Sequence, residues 1–189
     1  YFTAVFSKPF RDFGIMQDTI PVKYNTNRFR SSLEAWGKDL RFWMRFPTRQ
    51  GEMVTVKTAV SAVSSDGAKL NMQELEGKTF ASLKAEGEKL WEGQLSKFKI
   101  EATPEQRETF YTSVYHAFLH PFIFQDADGK FRELDKNIGQ AEGFTNYTVF
   151  SLWDTYRALH PLFNLVQREI NADIVNSMLA HYDKSVEHM

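Results

Sequence analysis

The chain has 189 residues, enough for one large domain or two small ones and for a sizeable core. Its 23 basic and 24 acidic side chains leave a net charge of −1, which gives no electrostatic footprint for nucleic acid or an anionic membrane, and 15% aromatic residues exclude a disordered chain. With 0 cysteines, disulfides, thiolate nucleophiles and Cys-based zinc sites are excluded, and no apolar run of about 18 residues offers a transmembrane helix.

The chain starts at Tyr1 in an alternating segment that runs to Phe10. Up to about residue 70 the dominant period stays at two. Leu40, Phe42, Met44 and Phe46 alternate with Arg41, Trp43 and Arg45, which predicts a strand with one apolar face. Val54, Val56, Val60 and Ala62 predict a second strand, and Pro47 to Glu52 reads as the hairpin connection that pairs the two. Ser31-Ser-Leu-Glu34 imitates a capping box, but strand patterns flank Arg28 to Lys38 on both sides and the segment is assigned to a loop. From about Thr79 the period lengthens to that of a helix, with Phe80, Leu83, Gly87, Leu90, Trp91, Leu95 and Phe98 on one side.

Thr103-Pro104-Glu105-Gln106 predicts a helix to about His120: Thr is the N-cap, Pro the first helical residue and Gln the third. Pro121 ends it. A third helix is expected over about Thr148 to His160, stopped by Pro161, and a fourth over about Arg168 to His188, where Ile174, Met178 and Tyr182 share a face. A chain that begins in a strand pattern and reaches Met189 in a helix pattern reads as an excised piece of a longer protein. Strands first and helices afterwards argue against a doubly wound parallel fold, and predict a β-sandwich part followed by an all-α part.

His116 and His120 stand at metal-sharing spacing, but no third ligand is evident and packing or surface roles are favoured. Asp126-Ala-Asp128-Gly129 fails the spacing of a calcium loop and reads as a turn. Asn146-Tyr147-Thr148 matches a glycosylation sequon and is discounted beside a predicted helix start. Neither a nucleophile elbow nor a Gly-rich phosphate loop occurs, so serine-hydrolase and nucleotide readings drop out. Trp153, Asp154 and Arg157 fall within an arc of about 100° on a predicted helix face. A flat ring, a carboxylate and a guanidinium are what a sugar pocket needs. By spacing alone, the simpler account is an Asp154–Arg157 ion pair beside a packed Trp.

The run Tyr147-Thr-Val-Phe-Ser-Leu-Trp153-Asp154-Thr-Tyr-Arg157-Ala-Leu-His160-Pro161-Leu, followed by Asn171-Ala-Asp173-Ile-Val-Asn176-Ser-Met178-Leu, closely resembles the calcium-dependent exo-α-mannosidases of glycoside hydrolase family 92. Tyr1 to Phe10, Val60 to Ser65 running into Ala68-Lys-Leu-Asn71, Phe110 to His116 and Asp126 to Gly129 agree, while Phe131-Arg-Glu133-Leu134-Asp135 departs by lacking a glycine. The resemblance implies an α+β fold in two domains. Residues 1–75 would be the C-terminal part of an N-terminal antiparallel β-sandwich, and residues 76–189 a linker and the first helices of an (α/α)6 barrel catalytic domain.

It further implies an inverting enzyme in which calcium binds hydroxyls of the terminal mannose. Trp153, Asp154 and Arg157 become its expected substrate-binding residues. The family's catalytic carboxylates sit in later motifs, a Glu beside Cys-Met-Ile-Gly and Asp residues before Gly-Gln-Met-Ser-Ala-Trp, and neither motif occurs here. Catalytic residues and calcium ligands are therefore expected outside this chain, which alone would be inactive. The expected partners are a mannose-containing glycan and the remainder of the same protein as another chain, with no nucleic acid and no membrane; the expected location is periplasmic or extracellular. The alternatives are a non-catalytic carbohydrate-binding or interaction module, and another (α/α)6 glycosidase or phosphorylase.

Overall fold

The computed structural model describes residues 1–17, 20–21 and 38–185. Two compact units divide the chain: Ala4–Lys57, and Tyr1–Thr3 with Thr58–Met189. The strands of the first third are β1 (Phe2–Phe6), β2 (Asp12–Gln17), β3 (Ile20–Pro21), β4 (Leu40–Arg45) and β5 (Val56–Val60). β2 lies between β3 and β4 in an antiparallel sheet, with Asp12 opposite Arg45 and Gln17 opposite Leu40. The strand expected from Leu40 is therefore present, but not its expected partner: β5 pairs with β1.

Alternation determines which side chains share a face and leaves open which strand supplies the neighbour. Aromatic contacts accompany the observed pairing, with Phe13 against Phe42 at 5.6 Å and Phe10 against Phe46 at 6.3 Å between ring centroids. Gly14 contributes by absence, since a Cβ there would stand 2.6 Å from the Trp43 indole opposite it. Pro47 to Glu52 still turns, through a Glu52 N–H donated to the Arg49 carbonyl at 3.0 Å and Gly51 at φ +80°. The loop expected over Arg28 to Lys38 lies outside the described residues, Lys38 excepted.

In the larger unit the strand period ends at Val60 rather than Ala62, and a helix that alternation hides, α1 (Ser65–Met72), follows. Its cap explains it: the Ser64 side chain accepts the Gly67 N–H, and Asp66 faces the positive end of the helix. α2 (Phe80–Leu95) begins in a capping box between Thr79 and Ser82. The predicted box before α3 (Pro104–Ala117) also forms, with Gln106 N–H on Thr103 Oγ1 at 3.3 Å and Thr103 N–H on Gln106 Oε1 at 3.1 Å. Trp91 meets Tyr115 at 4.5 Å between these two helices.

Beyond α3 the chain is not all-α as expected. Four short strands form two antiparallel pairs, β6 (Phe122–Ile123) with β9 (Tyr147–Thr148) and β7 (Lys130–Arg132) with β8 (Ile138–Gln140). The helix expected over Thr148 to His160 is replaced by a short α4 (Leu152–Thr155), a turn, and α5 (Leu159–Val166). Pro161 does not stop a helix; it sits in the first turn of α5, where its missing N–H would have had no intrahelical partner. α6 (Arg168–Ser185) completes the described chain. Buried Tyr147, Phe163 and Ile174 form a core with Phe118, Phe150, Leu159, Ile170 and Met178 packed against it. The result is a mixed α and β chain with small antiparallel sheets.

Candidate sugar-binding turn

The segment after β9 is anchored from α6. Ser177, fully buried, accepts the Tyr147 N–H at 2.9 Å and donates to the Asp173 carbonyl at 2.7 Å. Burial first, and the Asp173 charge second, push the Tyr147 phenol above its ordinary value. From this anchor the chain runs to Ser151, whose carbonyl accepts the N–H of Asp154 at 3.0 Å and of Thr155 at 3.1 Å. α4 ends at Thr155, so Trp153 and Asp154 lie on it and Arg157 lies in the turn beyond. The three expected substrate-binding residues thus fall on one short stretch, though not on one continuous helix.

All three are exposed, Trp153 at 83%. The Ser151 hydroxyl donates to the Asp154 carboxylate. Arg157 Nε donates to the Tyr156 hydroxyl at 2.6 Å, with its guanidinium carbon 5.3 Å from that ring's centroid. The ion pair that spacing suggested between Asp154 and Arg157 is not among those of the described residues. An outward indole beside a carboxylate and a guanidinium can cover an apolar sugar face and bond its hydroxyls.

The remaining candidates resolve into structure. His120 lies past the end of α3, so it does not share a helix with His116, and its ring packs on Phe122 at 5.3 Å. Asp128-Gly129 makes the expected turn, with Gly129 at φ +81° and its N–H on the Asp126 carbonyl at 2.8 Å. Lys130 holds the Asp128 carboxyl below the usual range through a hydrogen bond. Asn146 is fully buried and its amide donates to the Phe124 carbonyl at 2.8 Å, which agrees with discounting the sequon.

One cluster escaped the sequence reading. Asp126, only 4% exposed, accepts from Ser61 Oγ at 2.6 Å and Asn71 Nδ2 at 2.8 Å. Asn71 also donates to the Val60 carbonyl at 2.9 Å and accepts the Ala127 N–H at 2.7 Å. Ser61, Asn71 and Asp126 each belong to a family-like segment, but nothing in the spacing brings the segments together. Among the described residues, no group of three or more His, Asp or Glu side chains could hold a metal ion, and no helix is long and apolar enough to cross a membrane. A calcium site built on three such side chains is therefore not formed by the described residues alone.

The sequence profile of the Glycosyl hydrolase family 92 catalytic domain matches residues 67–188. Among solved structures, the family GH92 alpha-mannosidase BT3965 from Bacteroides thetaiotaomicron is 68% identical with a TM-score of 0.93, over 100% of this chain and 26% of that one. The same alpha-mannosidase in complex with mannoimidazole gives 68% identity and a TM-score of 0.93, over 100% of this chain and 25% of that one. The GH92 family glycosyl hydrolase ccman5 has a TM-score of 0.80 over 96% of this chain and 24% of that one, and at 20% identity it shares the fold. This chain spans about a quarter of the length of those it matches. No curated protein matches it. A profile that covers most of the chain, together with likeness over the whole of this chain to part of a family member, establishes that the chain belongs to glycosyl hydrolase family 92.

Proposed function

We propose that this chain is part of a calcium-dependent exo-α-mannosidase that removes terminal mannose from glycans with inversion of configuration. The observation that carries this reading is 68% identity, over the whole chain, to a protein described as a family GH92 alpha-mannosidase and also solved with mannoimidazole. In this reading residues 1–75 close a β-sandwich and residues 76–189 supply a linker and the first helices of an (α/α)6 barrel. Trp153, Asp154 and Arg157 serve the terminal mannose: the indole walls the ring, the carboxylate accepts from hydroxyls, and the guanidinium donates to one.

Inversion needs one carboxylic acid to protonate the leaving oxygen and a second carboxylate to activate water across the ring. This reading assigns both, and the calcium ligands, to the rest of the enzyme, which works in the periplasm or outside the cell. The test is hydrolysis of an aryl α-mannoside by the complete enzyme and by the 189-residue chain, with the anomer of the released sugar followed by NMR. The expected outcome is release of the β-anomer by the complete enzyme, loss of that activity with a calcium chelator, and no turnover by the chain alone. Retention of configuration, indifference to chelation, or a complete enzyme inert toward α-mannosides would overturn the corresponding part of the reading.

A further inference from the structure

Asp154 and Arg157 are spaced to pair with each other, yet each is held by a different neighbour. The Ser151 hydroxyl donates to Asp154 Oδ2, and the Tyr156 hydroxyl accepts from Arg157 Nε at 2.6 Å. Ser151 precedes α4, where a serine ordinarily turns its oxygen toward the amide of the second or third helical residue. No such side-chain cap forms. The Ser151 carbonyl takes the Asp154 N–H, at 3.0 Å, and its hydroxyl is left to the carboxylate of the same residue. Asp154 is thereby fixed at two points from one residue, its backbone and one carboxylate oxygen.

We infer that Ser151 is a positioning residue for the sugar-binding turn: it holds Asp154 through Oδ2 and leaves Oδ1 to a sugar hydroxyl. The inference rests on the assignment of Asp154 to the mannose subsite. Ser151 touches no sugar in this arrangement and transfers no proton. Its contribution is to remove side-chain freedom that ligand binding would otherwise have to freeze. A serine acting only as a helix cap would serve α4 equally well whether or not residue 154 carried a carboxylate.

The experiment is a double-mutant cycle in the complete enzyme, with kcat/KM on an aryl α-mannoside and the thermal midpoint as readouts. Ser151→Ala is expected to lower kcat/KM about 3- to 10-fold, the effect of one lost orienting hydrogen bond. Ser151→Thr keeps the hydroxyl and should stay near wild type, whereas Ser151→Val, of the same shape without it, should match the Ala variant. On an Asp154→Ala background, Ser151→Ala should lower kcat/KM no further. Equal kcat/KM for the Thr and Val variants overturns the inference, as does a Ser151→Ala loss that persists undiminished without the Asp154 carboxylate. If Asp154→Ala itself keeps wild-type kcat/KM, the subsite assignment falls and the inference with it. If Asp154→Ala is impaired while Ser151→Ala is not, the inference alone falls.

Discussion

Gly67 and Asp126 are matched to each other. A Cβ on residue 67 would stand 2.1 Å from Asp126 Oδ2 and 2.7 Å from Ser61 Oγ, so the close approach of α1 to this carboxylate requires glycine. Gly67→Ala is therefore expected to destabilise by about 1 to 3 kcal/mol, the usual cost of overpacking, in thermal or urea unfolding of the complete enzyme. Asp126→Asn should cost a similar amount, about 1 to 3 kcal/mol, because the carboxylate accepts from both Ser61 and Asn71 and an amide nitrogen would set a donor against a donor. Wild-type midpoints for both variants would show the cluster to be incidental. His181 adds a pH dependence: burial holds its imidazole below the ordinary 6.5, with Glu133 opposing in part. Protonation then favours the unfolded chain, so this contribution is fully present above 6.5 and is lost as pH falls toward the lowered folded value. His181→Phe should flatten the stability profile on that acid side.

The helix caps show how much a local pattern can tell. Thr103 to Gln106 could be read directly, because donors, acceptors and proline all lie within one turn of each other. Strand partners could not: the alternation of Leu40 to Phe46 is the same whichever neighbour it meets, and β2 won over the segment after the turn. Pro161 misled for a related reason, since proline ends a helix or begins one and only its position relative to the first turn decides. The β7–β8 hairpin carries a further local conflict. Lys136 donates its N–H to the Glu133 carbonyl at 3.1 Å and sits at φ +71°, a region that favours glycine. This lies one residue past Phe131 to Asp135, the stretch where the family resemblance implies a glycine. Lys136→Gly is accordingly expected to be neutral or to stabilise by up to about 1 kcal/mol, despite adding freedom to the unfolded chain. A clear fall in the thermal midpoint would contradict that account of the turn.

For the chain as a whole, the switch from strand-rich to helix-rich sequence was legible, and so was the family, from the run Ser151 to Arg157 and its companions. The Asp126 cluster was not, because its members are separated by up to 65 residues and meet only in the folded chain. The chain also leaves large apolar side chains in solvent, among them Met53, Phe80, Leu90 and Leu165, each more than 70% exposed. In the proposed larger enzyme such side chains are expected to be covered by the remainder, so the isolated 189-residue chain is expected to associate or precipitate, as sedimentation or light scattering would reveal. A soluble monomer at high concentration would count against such a cover.

Assignment of the exposed turn to the terminal mannose makes a quantitative demand on Asp154. A charged hydrogen bond contributes roughly 1.5 to 3 kcal/mol, so in the complete enzyme Asp154→Ala should lower kcat/KM for an aryl α-mannoside by about 10- to 150-fold and leave the thermal midpoint nearly unchanged. Wild-type kcat/KM in that variant, with or without a small loss of stability, would contradict the assignment and return Asp154 to a structural role at the start of α4.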